Sequence, residues 1–191
     1  MGLRLFVAFE LPAELRRALA LEAGKLRPRL PAGRWVKPEA MHLTLAFLGD
    51  TDRALVPELD RALGDAFAGH RPFELHLAGA GAFPPRGRLR VAWVGVESDG
   101  ALEAVQASVA GALRRLLPGA ADDKPFRPHL TLARCNPPWP RSALATLEEL
   151  AGRLPRRPVA LTAGTLFASQ LKPGGAVHRA LSRYPLAGGG G

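Results

Sequence analysis

A chain of 191 residues can bury a core of its own, and with one cysteine, Cys135, it forms no intrachain disulfide. Hydrophobic residues at 47% and charged residues at 23% exclude a disordered or fibrous chain. The net charge of +9 points to a polyanionic partner, nucleic acid or a phosphorylated ligand, although an excess of Arg, Ala, Gly, Leu and Pro is equally what a GC-rich coding sequence produces.

No run approaches the roughly 18–20 apolar residues of a spanning helix. The opening MGLRLFVAFELP is interrupted by Arg4, Glu10 and Pro12 and does not read as a signal peptide. A cytoplasmic monomer without membrane contact is expected. A single bilobal domain over 1–187 is expected too, with the glycine tail 188–191 disordered.

LRLFVAFEL (3–11) has the dense apolar character of a buried strand, and Pro12 opens a helix whose Leu15, Leu19 and Leu26 make an apolar stripe. RPRLPAGRWVKP (27–38) reads as loop. A strand begins at His42 and stops at GDTD, where Thr51 or Asp52 caps a helix over 53–69. FELHLAGAGAF, PPRGR and LRVAWVGVE give a hairpin over 73–97. DGALEAVQASVAGALRRLL (99–117) is the clearest amphipathic helix, with PGAADDKP as its exit loop. A strand at 129–133, a helix at 142–154, a long strand at 157–171, the KPGG turn and a last strand at 175–186 complete the chain. Each half thus runs strand, helix, strand, helix, hairpin, which predicts an α+β fold with two related lobes.

The strand after each first helix carries the same five letters: HLTLA occupies 42–46 and 129–133. Alternation along a strand points His42 and Thr44 one way and Leu43 and Leu45 the other. His129, Thr131, Leu130 and Leu132 divide likewise. Leucines anchor each copy in a core while an imidazole and a hydroxyl face outward. If an approximate two-fold relates the lobes, two imidazoles and two hydroxyls converge on one cleft. One imidazole acts as base and the other as acid, each transfer typically worth ~10²–10⁴-fold. Hydroxyls bind phosphate oxygens without adding an anion, and Arg134 supplies positive charge. Displacement at phosphorus without a metal is what such a set does best. Zinc spacings such as HExxH or CxxC are absent, and so is a P-loop lysine motif; His76 and His178 are the remaining histidines a metal would draw on.

Two HxT motifs in tandem resemble the 2H phosphoesterase superfamily, and most closely its RNA 2′,3′-cyclic phosphodiesterase branch, historically called bacterial 2′–5′ RNA ligase. RLFVAFELP, RWVKPEAMHLTLAFLGD, GAGAFPPRGRLRVAWVGV, FRPHLTLAR and FASQLKPGGAVHRAL carry the likeness over almost the whole chain. It implies a bilobal fold around a central cleft, no metal and no cofactor, and opening of a terminal 2′,3′-cyclic phosphate to a 2′-phosphate. By this resemblance His42 is the acid toward O3′ and His129 the base on water. Thr44, Thr131 and Arg134 hold the phosphate. Phe47 is either a nucleobase contact or, as favoured, a core aromatic. His178 stands where the family often has Tyr, and makes a polar contact or rims the site.

RNA with a 2′,3′-cyclic phosphate end is the expected partner. Ligation to a 5′-hydroxyl end would use the same residues. A non-catalytic RNA-end binder and a phosphodiesterase for small cyclic nucleotides are the alternatives. The loops RPRLPAG, PPRGR and NPPWPR, with Trp139 for stacking, are either RNA-steering rims or plain solvated surface. His70 reads as an exposed loop residue.

Overall fold

The computed structural model describes residues 2–118, 125–172 and 175–188. Met1, residues 119–124 of the exit loop, 173–174 of the KPGG turn and 189–191 of the glycine tail lie outside the described residues.

β1 (Gly2–Glu10) sends Leu5, Val7 and Phe9 into the main core and Phe6 and Ala8 to the opposite face, as strand alternation requires. Pro12 caps α1 (Ala13–Leu26), which buries Leu15, Leu19, Ala23 and Leu26. The chain continues through β2 (Arg34–Trp35), β3 (His42–Asp52), α2 (Val56–Ala68), β4 (Phe73–Phe83), β5 (Leu89–Glu97) and α3 (Ala101–Leu116). It ends with β6 (His129–Trp139), α4 (Ala143–Glu148), β7 (Val159–Leu161), β8 (Ala163–Lys172) and β9 (Gly175–Pro185). The fold is α+β, built on one antiparallel sheet in the order β7-β4-β5-β6-β3-β1-β8-β9, with β2 also on β6.

That order is symmetric about its middle. Outward from the centre, β6-β5-β4-β7 answers β3-β1-β8-β9, and the two sets join at a single pair, Leu43 with Leu130. β1-α1-β3 on one side corresponds to β5-α3-β6 on the other. The lobes are nevertheless not the two halves of the chain. The β4–β5 hairpin of the first half lies in the β6 lobe, and the closing β8–β9 hairpin returns to β1.

The main core joins one face of the sheet to the helices, with Leu19, Phe67, Val109 and Leu147 meeting Leu43, Leu130 and Leu166. Gly164 on β8 lets the Phe67 ring of α2 lie against the strand, since a Cβ there would stand 2.1 Å from that ring. Phe67 stacks on Tyr184 at 5.6 Å. The Tyr184 hydroxyl donates to Asp60 at 2.8 Å, and burial together with that carboxylate raises its pKa. No helix among the described residues is long and apolar enough to cross a membrane.

Several expectations need correction. The stretch 157–171 is two strands in opposite halves of the sheet, β7 at one edge and β8 next to the other, because the chain switches lobes between Leu161 and Ala163. RPRLPAGRWVKP is not all loop, since β2 pairs with β6. The strand from His42 runs through GDTD to Asp52, whose carboxylate accepts from Ala54 N–H at 3.0 Å and starts the turn into α2. NPPW belongs to β6, and Trp139 is buried, its indole N–H donating to the Ala32 carbonyl at 2.8 Å, so it offers no stacking surface. Arg88 and Arg141 bond the Pro138 and Pro85 carbonyls, clasping PPRGR to NPPWPR. His70 is not free either: its Nε2 lies 2.9 Å from Ser108 Oγ.

Candidate active site

The open face of the sheet, opposite the helices, carries the repeated motif. Leu43 and Leu130 are fully buried partners across the seam. In an antiparallel pair His42 therefore lies toward Thr131, and Thr44 toward His129, with all four side chains turned away from the core. Each imidazole is fixed in the same way, its Nδ1 donating to the carbonyl two residues earlier: Ala40 for His42 and Arg127 for His129, both at 2.7 Å. That bond selects the tautomer and leaves Nε2 for the substrate side.

A matching irregularity in the two strands completes the face. β3 pairs Ala8 with Thr44 but Val7 with Ala46, so Leu45 is an extra residue. β6 pairs Trp93 with Thr131 but Ala92 with Ala133, so Leu132 is an extra residue. A bulge at the same place in each motif turns the following side chains over. Arg134 lies an odd number of residues after His129, and strict alternation would have sent it into the core. The bulge brings it to the face of His129 and Thr131. Its counterpart in the other lobe is Phe47, which is 59% exposed, not a core aromatic.

Aromatic rings surround both imidazoles. His42 lies 4.8 Å from Phe6 and 5.1 Å from His178 between ring centroids, and Phe6 is also 4.9 Å from His178 and 5.1 Å from Phe167. On the other side Phe83 is 5.1 Å from His129 and 5.3 Å from Trp93. Burial among these rings pulls the His42 pKa down to about 4, against the opposing pull of the Ala40 carbonyl. The positive charges of His178, Arg134 and His129 push it the same way, which also marks how closely these groups gather. Burial lowers His178 as well. No three His, Cys, Asp or Glu side chains come together as a metal set among the described residues. Cys135 is buried within β6 with its thiol pKa raised by burial, and His76 is exposed on β4.

The structure thus gathers His42, Thr44, His129, Thr131, Arg134, Phe47 and His178 on one face. Sequence reasoning missed the supporting rings Phe6, Phe83, Trp93 and Phe167. The signal for Phe6 was present, because alternation puts it and Ala8 opposite Leu5, Val7 and Phe9.

A curled α+β sheet presenting two symmetry-related histidine strands defines a class of two-histidine phosphoesterases. A family model described as the 2′-5′ RNA ligase superfamily matches residues 11–169, and the chain belongs to that superfamily. A Thermus thermophilus relative named RNA 2′,3′-cyclic phosphodiesterase is 38% identical over 97% of this chain and 91% of its own length. One of the same name from Methanothermobacter thermautotrophicus is 30% identical over 97% of this chain and 100% of its own. Among solved structures, TT0787 of Thermus thermophilus is 34% identical with a TM-score of 0.79, covering 97% of this chain and 98% of that one. E. coli LigT complexed with 3′-AMP is 29% identical with a TM-score of 0.77, covering 97% and 99%.

Proposed function

We propose that this protein is an RNA 2′,3′-cyclic phosphodiesterase in which residues 1–187 act as one catalytic unit. The observation that carries the reading is the convergence of two imidazoles and two threonine hydroxyls, with Arg134 added by a bulge, on one face. The names of relatives that match nearly the whole chain support the substrate class.

Thr44, Thr131 and Arg134 bind the non-bridging phosphate oxygens. His129 Nε2 takes a proton from water as its oxygen bonds to phosphorus. The bond from phosphorus to O3′ breaks, and His42 Nε2 gives that oxygen a proton, leaving a 2′-phosphate and a free 3′-hydroxyl. A 5′-hydroxyl in place of water yields a 2′–5′ linkage through the same groups. Exposed Phe47 offers a ring face to a nucleobase. A monomer working in the cytoplasm suffices for this chemistry, since both histidines come from one chain.

The test is an RNA oligonucleotide ending in 2′,3′-cyclic phosphate, incubated with the protein in EDTA. Wild type should form a 2′-phosphate, while His42→Ala and His129→Ala each lose about 10³-fold or more, in line with loss of a general acid or base. Full inhibition by EDTA, or turnover surviving both substitutions, overturns the reading. Tight binding of the RNA end with no product at any pH would make the protein a binder.

A further inference from the structure

The two imidazoles are held in unlike ways. His42 is enclosed by Phe6, Phe167 and His178. His129 is half-buried, and its cross-strand neighbour on β5 is Gly95, which has no side chain. Among the described residues one ring, Phe83, lies against His129, at 5.1 Å between centroids and 84° between planes. The symmetry of the lobes shows how Phe83 comes to be there. It pairs with Val91, which stands opposite Arg134, just as Phe167 pairs with Phe6, which stands opposite Phe47. Where the lobe of β1 has the large ring of Phe6, the lobe of β6 has the smaller Val91. Phe83 therefore reaches its histidine directly, whereas Phe167 is 6.5 Å from His42 with Phe6 closer in.

Phe83 is itself braced. Its ring lies 5.3 Å from that of Trp93, and Trp93 lies across Gly81, where a Cβ would stand 2.8 Å from the indole. The turn that follows Phe83 is tied down twice. Arg88 donates to the Pro138 carbonyl at 2.7 Å, and Arg141 donates to the Pro85 carbonyl at 2.6 Å. Yet Phe83 is half-buried, and it belongs neither to the main core nor to the side chains packed against that core. Burial does not account for a ring fixed so firmly at the rim of the site.

We propose that Phe83 is a positioning residue for His129, its ring holding the imidazole so that Nε2 points at the attacking oxygen. The proposal rests on the phosphodiesterase reading above, in which His129 is the base. The bond from Nδ1 to the Arg127 carbonyl selects the tautomer but pins the ring at one atom. A hydrogen bond tolerates a wide range of angles, so a ring held by it alone rocks and carries Nε2 off line. A second ring set nearly perpendicular to the imidazole removes that freedom. The precision matters, because a base must come within about 3 Å of the group whose proton it takes. A misplacement of ~1 Å can cost ~10²-fold. Enclosure of the kind His42 has would also fix the ring, but it would shut out the water or 5′-hydroxyl that His129 must meet. One ring at the side orients the base and leaves it open to solvent.

Two substitutions in the intact chain provide the test: Phe83→Leu keeps apolar bulk and loses the flat ring, while Phe83→Tyr keeps the ring. On a nucleoside 2′,3′-cyclic phosphate, Phe83→Leu should lower kcat about 10- to 100-fold. KM and the affinity for the nucleoside 2′-monophosphate should stay within about twofold, and Phe83→Tyr should keep kcat within about threefold of wild type. Introduced into His129→Ala, Phe83→Leu should cost less than about twofold more, because it acts through the group already removed. An unchanged kcat, an equal loss in wild type and His129→Ala, or a loss of monophosphate affinity that matches the loss of rate overturns the positioning role while the phosphodiesterase reading stands. Nitrogen NMR of the His129 ring reads the same contact without turnover. At about pH 9, where an imidazole is neutral, wild type and Phe83→Tyr should show Nδ1 protonated. Phe83→Leu should move toward an average of the two tautomers as the bond to Arg127 loosens, and an unmoved tautomer overturns the hold on the ring. If wild type turns over no cyclic phosphate while the tautomer still follows the ring at position 83, the phosphodiesterase reading falls and the hold of Phe83 on His129 stands.

Discussion

His42 is where the chemistry and the electrostatics of the site pull in different directions. Burial among Phe6, Phe167 and His178 holds its pKa near 4, so the free protein carries a neutral imidazole there at neutral pH. A base is then ready-made, whereas an acid must acquire its proton along with the substrate. The anionic cyclic phosphate supplies the means, because its charge offsets the repulsion from Arg134, His129 and His178. For kcat/KM, which reports the free enzyme, the sign follows from His42. As the pH falls through about 4, His42 takes up a proton in the free protein and the pair loses the neutral imidazole it holds there, so the rate should fall about tenfold per unit. An acid limb near pH 6.5 instead would mean that the rings do not desolvate His42. This limb does not divide the roles, since only the product of the two protonation states counts. The leaving atom does. With sulfur in place of O3′ the departing group needs no proton, so His42→Ala should recover most of its loss on that substrate and His129→Ala should not. The opposite pattern would exchange the two roles.

At the scale of elements, the sequence was legible wherever alternation or helical periodicity is unbroken. β1, α1, β4, β5, α3 and β9 stand within a residue or two of where their patterns put them. The candidate quartet His42, Thr44, His129 and Thr131 was legible for the same reason, because HLTLA is strictly alternating in both copies. Reading failed where one residue breaks the period. Leu45 and Leu132 look like ordinary core leucines, yet their bulges decide that Phe47 and Arg134 reach the open face. Resemblance and charge put Arg134 in the site against strict alternation, and the alternation that the bulge cancels favours Phe47 for the core. Apolar pattern also says nothing of which sheet edge a strand joins, so β7 and β8 read as one strand. Glycines carry part of this hidden information. Gly164 looks like a weak point in a strand, yet its missing Cβ is what lets Phe67 seat α2. Gly164→Ala should cost about 1–3 kcal/mol through overpacking, roughly 2–12 °C in melting temperature for a chain of this size. Turnover at 25 °C should stay within about threefold, because the ring it displaces lies on the helix side of the sheet. An unchanged melting midpoint would show that α2 does not depend on this contact.

The whole molecule carries an imbalance that neither motif nor fold requires. Its net charge is +9, and the described residues contain two ion pairs, Lys25 with Glu22 and Arg29 with Glu149. Most arginines therefore face solvent or backbone carbonyls, and two of them, Arg34 and Arg134, are direct cross-strand partners between β2 and β6. Like charges placed opposite each other destabilise a sheet unless an anion lies between or above them. A cyclic mononucleotide brings one phosphate to this surface, and an oligonucleotide brings a row of them. Each phosphate neutralised releases condensed counterions, at about 0.7 in the log–log salt slope for a single strand. The KM of a ten-residue RNA with a cyclic end should therefore rise with salt along a slope at least about 1.4 steeper than that of a cyclic mononucleotide, two further phosphates being held. Arg34→Ala should remove about one phosphate's share of that difference and leave the mononucleotide slope in place. Parallel slopes for the two substrates would mean that the surplus charge reaches no phosphate beyond the one between the histidines.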